Sequence, residues 1–469
     1  MTVRIALPKG KLLNDTATLL DKAGWKLVGY DSNLRNYRIK SERFIDVQIK
    51  VFQEKDIPVQ VAIGNYDLGI CGLDWIEELS SKFSTYAPVI IRDLGYGKGA
   101  LYVTASRYGD VSTIDEVKAK DDVVHIASEY PNIAENFALN LRLKRFSVYP
   151  VWGAAEAYPP DRATLALISG TPEAKEFNNG IKPLANVLNY SARLIANRRS
   201  WEQKDLSEVL ATLENIEFIP IFETTTETKT AIGASIIIKR DKDVVRLALP
   251  DGHQQKHTVN ILNKAGIQIK DYPSTTGNRR PTTSLEGVEV TVIRPQDMPL
   301  QVANGNFDLA ITGHDWLTDH KAAFPSSPVI ELADLKFGWV KIVAVVSNDV
   351  PANNLYELKD VCRRADTPLR VASEYINLSD KYARDNQLGM YRIIPTWGVT
   401  EAFLPEDADL LIENTETGGT IARHNLKIID TLFESTAYFI GAKNNQLSKI
   451  KKERIENLVK VFIDAVNKG

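Results

Sequence analysis

Apolar residues recur along this 469-residue chain in two alternating rhythms. Short β-rich runs at Val3 to Leu7, Asp46 to Phe52 and Leu68 to Cys71 each give way to helical spacing. Leu12, Leu13, Ala17, Leu20 and Ala23 fall on one helical face, and Gly24 suits the position just past a helix end. Asp56-Ile57-Pro58 reads as a helix start with proline in the first turn, and Trp75 to Leu79 opens another helix. Further strands are expected at Ala100–Thr104, Val123–Ala127, Val148–Val151, Leu165–Ile168 and Arg193–Ala196. Ser448 to Lys468 has amphipathic spacing, with Ser448 as N-cap. This βα alternation predicts mostly parallel sheets with helices on both faces, and ligand sites on loops beyond the carboxyl ends of strands.

The pattern runs twice. Arg4 to Gly10 (RIALPKG) returns as Arg246 to Gly252 (RLALPDG), and Asp67 to Trp75 returns as Asp308 to Trp316. Ala127-Ser128-Glu129-Tyr130 returns as Ala372-Ser373-Glu374-Tyr375, and Trp152-Gly153 as Trp397-Gly398. The landmarks are 241 to 245 positions apart, so a whole unit is duplicated. Each copy is far longer than a solenoid repeat and should bury its own core. The expected organisation is a first module at 1–222, a linker at 223–243 and a second module at 244–469. The linker holds a threonine run, expected to be exposed, and an apolar run from Ala234 to Ile238, expected to dock as a strand.

Composition narrows the function. Charged residues make up 25% and hydrophobic ones 44%, as in a soluble globular protein. A net charge of −3 argues against bulk affinity for nucleic acid or an anionic membrane, so any anion site is local. No run approaches the ~20 apolar residues of a membrane helix. No signal peptide precedes the first strand, which suggests a cytoplasmic protein. Cys71 and Cys362 occupy non-equivalent places and are expected to be reduced, buried thiols. His253 and His257 are spaced i, i+4, but they lack the glutamate of a zinc-protease motif and a third ligand. Trp75, Trp152, Trp316 and Trp397 are expected to pack between lobes.

The sharpest candidate for chemistry is Glu413-Asn414-Thr415-Glu416-Thr417-Gly418-Gly419-Thr420, between a strand and a helix-like stretch. Small residues let backbone N–H groups close around a phosphate, and threonine hydroxyls add donors. An acidic residue at the loop's start can hold sugar hydroxyls. In the first copy the stretch reads Ile168-Ser169-Gly170-Thr171-Pro172-Glu173-Ala174-Lys175. Proline removes an N–H donor and Glu173 repels an anion. The cations show the opposite asymmetry. Copy one has Lys9 and Lys11 where copy two has Asp251 and His253. Arg35-Asn36-Tyr37-Arg38 faces Gly277-Asn278-Arg279-Arg280, and Arg294 stands where copy one has Gln53.

Taken together, these motifs resemble the ATP phosphoribosyltransferase family of histidine biosynthesis, over nearly the whole chain outside the linker. Ile5 to Leu12, Arg35 to Arg38, Asp67 to Asp74, Asp93 to Lys98, Arg294 to Pro299 and Glu413 to Thr420 carry the resemblance. It implies an α/β fold of two tandem modules, each two-lobed and similar to type II periplasmic binding proteins. It also implies that N1 of ATP attacks C1 of phosphoribosyl pyrophosphate, that pyrophosphate leaves, and that Mg²⁺ is required. Glu413 stands where the family commonly has aspartate. Family members usually carry one module per chain and form dimers, so this chain resembles a dimer fused into one polypeptide. No regulatory domain is expected after the second module.

The expectation is a pseudo-dimer with one competent site. It joins the Glu413–Thr420 loop, as phosphoribosyl pyrophosphate site, to Lys9, Lys11 and Arg35 reaching across from copy one, with Arg294 as a further catalytic cation. Two alternatives are a phosphoribosyltransferase with another acceptor base and a non-catalytic nucleotide-binding regulatory paralogue.

Overall fold

The computed structural model describes residues 2–32, 34, 36–171, 177, 180–214, 243–275, 277–443 and 447–467. The expected linker and its two runs, from 223 to 242, lie outside them, as do Arg35 and the Pro172–Lys175 stretch. Each module is two lobes built on separate sheets. Lobe 1A centres on the strands Arg4–Lys9, Gln48–Gln53 and Leu68–Gly72. Lobe 1B centres on Gly99–Ser106, Val124–Ser128 and Leu165–Gly170. Lobe 2A repeats the first with Val245–Pro250, Val288–Ile293 and Leu309–Gly313. Lobe 2B repeats the second with Val340–Ser347, Leu369–Ser373 and Leu410–Thr415.

The sheets are mixed, not mostly parallel. Arg4–Lys9 pairs in parallel with Gln48–Gln53 and Leu68–Gly72, whereas Ala192–Ala196 runs antiparallel to Leu68–Gly72. The cause is the path of the chain. It leaves lobe 1A after Val89–Asp93, builds lobe 1B, and returns through Ser191 into Ala192–Ala196. A strand that comes back from the neighbouring lobe enters where the outgoing strands end, and must run against them. Ala437–Ala442 repeats this in lobe 2A. Two short crossings therefore join the lobes of each module. Backbone bonds tie them together: Leu94 N–H to Ala192 O at 2.9 Å and Ala192 N–H to Tyr96 O at 2.8 Å.

One face of each sheet packs on its own helices. The helix Leu13–Lys22 places Leu13, Leu19 and Leu20 against Ile5, Leu7 and Val51. The final helix, Lys449–Asn467, packs Leu458, Phe462 and Ala465 on lobe 2A, and Ser448 Oγ accepts the Lys451 N–H at 3.1 Å as its cap. The other face packs across modules. Ala6, Phe52, Ile57 and Ile195 of lobe 1A share a core with Val343, Ala372, Phe403 and Leu411 of lobe 2B. Val151, Tyr158 and Ala166 of lobe 1B share one with Ile293, Met298 and Phe307 of lobe 2A. Each lobe thus meets the opposite lobe of the other module, as in a two-fold dimer. Cys71 is buried as expected, while Cys362 is only half-buried because its helix, Leu355–Arg364, buries little beyond Leu358.

Candidate active site

The first module has a cleft between its lobes, and the junction of lobes 2A and 2B is its counterpart in the second module, the second cleft. The strand Arg4–Lys9 ends in a turn at Gly10, whose φ of +92° lies where glycine is favoured. That turn sets Lys9 and Lys11 on the wall of the first cleft, about 690 Å³ in volume. Lys98 enters from the crossing between lobes, and Ser169, Gly170 and Thr171 from lobe 1B. Lys9 Nζ donates to the Tyr37 hydroxyl at 3.0 Å. Lys55 bonds Glu129 at 2.9 Å and lies 4.9 Å over the Trp75 ring. Burial, then the nearby Asp74 charge, pushes the Glu54 carboxyl up to about 7, against the pull of the Leu12 N–H and Lys11.

The other module completes this cleft. Arg279 and Arg294, from lobe 2A, line it. Arg279 bridges Glu156 of lobe 1B at 3.0 Å and Asp251 of its own lobe at 2.6 Å. Arg294 lies so close to Gly153 that a Cβ there would sit 3.0 Å from its Nε. The repeated Trp-Gly pair thereby gains a physical reason. The Trp152 N–H donates to Asp297 at 3.0 Å, and its bare neighbour makes room for an arginine from across the interface.

The Glu413–Thr420 loop lies in the second cleft. It leaves the carboxyl end of Leu410–Thr415, where Asn414 Nδ2 donates to the Tyr375 hydroxyl at 2.9 Å. That hydroxyl donates to Asp315 of lobe 2A at 2.6 Å, so the loop base faces the opposing lobe. Gly418, at φ +74°, turns the chain, and its N–H bonds Thr415 Oγ1 at 2.9 Å. Arg423 reaches Thr420 Oγ1 at 3.0 Å. Behind the loop lies a group of carboxyls. Burial, then the charges of Glu374 and Glu401, push Glu413 up to about 8. Burial and Glu401 raise Glu374 to about 7. From module one, Gln53 lies beside Gly398, Tyr37 stacks on His424 with centroids 5.5 Å apart, and the Lys55 charge pulls against the rise at Glu374.

Lys9, Lys11 and Arg294 come together, but in the first cleft, whose lining includes no residue from Glu413 to Thr420. Both lysines line the wall that faces lobe 1B, and Lys9 also bonds Tyr37, whose ring stacks on His424 just past the loop. Sequence reasoning passed over Lys98, Lys55, Glu374 and Glu401 as site residues, and used Arg279 only as a contrast. The signal for Arg279 was available, because it occupies the position of Tyr37 in a segment that differs between copies. Two of the tryptophans pack between the lobes of a module: Trp75 stacks on Tyr130 and Trp316 on Tyr375, each with centroids 4.3 Å apart.

The family model described as HisG, ATP phosphoribosyltransferase, matches residues 53–217 and 294–463. The chain belongs to this family. A relative named ATP phosphoribosyltransferase from Chlorobaculum parvum is 29% identical over 239 residues, which is 49% of this chain and 74% of the relative. One from Pelodictyon phaeoclathratiforme is 30% identical over 237 residues, 48% of this chain and 72% of the relative. Among solved structures, the ATP phosphoribosyl transferase (HisG:HisZ) complex from Thermotoga maritima is similar at 19% identity and a TM-score of 0.40. It covers 48% of this chain and all of that one. The alkanesulfonate-binding protein SsuA from Xanthomonas axonopodis pv. citri is similar at 9% identity and a TM-score of 0.29, covering 48% of this chain and 73% of its own.

Among the described residues, no three His, Cys, Asp or Glu side chains converge as metal ligands. Mg²⁺ commonly rides on substrate phosphates with few protein ligands.

Proposed function

We propose that the chain joins ATP to phosphoribosyl pyrophosphate, giving N1-(5-phosphoribosyl)-ATP and pyrophosphate, the first step of histidine biosynthesis. The observation that carries this reading is the Thr415–Thr420 loop at a strand end in the second cleft. Its backbone and hydroxyl donors would hold the donor's 5-phosphate, with Asn414, Glu413 and Glu416 flanking the ribose. The bond from C1 to pyrophosphate breaks and one from C1 to N1 of adenine forms. Little proton transfer is needed, so the protein's work is alignment and stabilisation of the departing anion. Lys9, Lys11 and Arg294 would hold polyphosphate in the first cleft. No helix among the described residues is long and apolar enough to cross a membrane.

The placing of Lys11 and Arg294 in the first cleft, away from the loop, favours a second reading, in which the chain is a nucleotide-binding regulatory paralogue without turnover. One experiment decides between them. The purified chain is mixed with phosphoribosyl pyrophosphate, ATP and Mg²⁺, and N1-ribosylated ATP is sought by ultraviolet absorbance and mass. Product at catalytic turnover supports transfer. Nucleotide binding without product supports the paralogue. Product only with a different base shifts the acceptor.

A further inference from the structure

The two interfaces between modules use equivalent faces, and the repeat pairs their positions: Lys50 with Thr291, Tyr66 with Phe307, Arg162 with Asp407. At the rim both interfaces are built alike. Arg38 reaches Glu406 at 2.9 Å, and in the equivalent place Arg280 reaches Asp161 at 2.7 Å. One step inwards they differ in sign. Where lobe 1A meets 2B, Lys50 Nζ lies 2.7 Å from Asp407 Oδ2, and the Tyr66 hydroxyl donates to the same carboxylate at 3.1 Å. Both ends of this ion pair are buried, with Lys50 4% and Asp407 1% exposed. Where 2A meets 1B, the charge sits on the other partner. The Arg162 guanidinium lies 4.0 Å over the Phe307 ring and donates from Nε to the Asn306 carbonyl at 3.1 Å. Buried Thr291 occupies the lysine's position.

We propose that this exchanged charge selects the partner, so that each module accepts its unlike copy and rejects a second copy of itself. Pairing module one with module one would set Lys50 and Tyr66 against Arg162, burying two cations together. Pairing module two with module two would set Asp407 against Thr291 and Phe307, burying a carboxylate without its cation. A buried charge stripped of its partner is strongly unfavourable. A duplicated chain needs such a device. Its modules are similar enough to pair with those of other chains, and like-with-like pairing would link chains to one another. The selection uses neither cleft and stands apart from the proposed transfer reaction.

The test exchanges the two charges in the intact chain. Arg162→Asp with Asp407→Arg leaves composition and net charge unchanged, but it makes both internal interfaces wrong and both like-with-like interfaces right. The expected result is a lower urea midpoint and a light-scattering mass at least twice the parent's at equal concentration. Adding Lys50→Thr, Tyr66→Phe, Thr291→Lys and Phe307→Tyr should return both to the parent values. A double variant with the parent's mass and midpoint overturns the proposal. So does one that loses midpoint yet keeps the parent's mass, because the charges would then stabilise without selecting. If the double variant does not fold, recovery of the parent's mass in the six-site variant supports the proposal, and failure to recover overturns it.

Discussion

Glu413 shows how much a single side chain inherits from its surroundings. Burial, with Glu374 and Glu401 nearby, holds its carboxyl at about 8 against an ordinary 4.5. The folded chain therefore keeps a proton that the unfolded chain releases between those values, and stability falls as pH rises through that window. Glu413→Gln removes the titration, so its thermal midpoint should exceed the parent's by more at pH 8 than at pH 5 in calorimetry. Thr417 and Thr171 test the two loops directly. Thr417→Pro deletes a backbone donor from the loop, so turnover should fall at least a hundredfold in the absorbance assay. Thr171→Ala, in the cleft without the intact loop, should stay within about twofold of the parent, since removing an exposed hydroxyl leaves every backbone donor in place. Equal losses would place the chemistry in both clefts.

At the scale of elements, the lobes hold each other through helix ends. Glu78, on the lobe 1A helix Leu73–Lys82, accepts the Asn132 and Ile133 N–H groups at 2.9 and 3.0 Å, where the lobe 1B helix Pro131–Asn140 begins. Asp319 does the same for Ile376–Asp385, accepting the Leu378 N–H at 2.8 Å. These first-turn donors have no partner within their own helix, and a carboxylate from the facing lobe supplies one. Glu78→Ala and Asp319→Ala should each lower unfolding free energy by roughly 1 kcal/mol, read from urea titrations. Most elements were legible beforehand, since Leu13–Lys22, Asp56–Ala62, Leu68–Gly72 and Lys449–Asn467 follow local periodicity and caps. The direction of Ala192–Ala196 was not. A strand's own pattern does not record which lobe the chain returns from.

For the whole molecule, the crossed cores mean that neither module closes its sheets alone. Phe52 of lobe 1A meets Phe403 of lobe 2B edge-on, with centroids 5.3 Å apart and both rings fully buried. Phe403→Ala should cost about 3–5 kcal/mol. Because the cavity opens in a core shared by both modules, unfolding followed by fluorescence and by circular dichroism should remain one coincident transition at lower urea. Two separated transitions would show modules that fold independently.

Periodicity, turn chemistry and the repeat were enough for a duplicated α/β unit and most of its elements, and the resemblance of the motifs was enough for the two-lobed modules and the family. All of these are written in residues close together in the chain, or in the spacing between copies. Which cations meet which loop was decided only in three dimensions. Lys9, Lys11, Arg279 and Arg294 converge because lobe 2A docks on lobe 1B, and Gln53 and Tyr37 reach the side of the Glu413–Thr420 loop because lobe 1A docks on lobe 2B. That crosswise docking brings together residues hundreds of positions apart. Its determinants, a buried ion pair on one side and an arginine over a phenylalanine ring on the other, have no local signature.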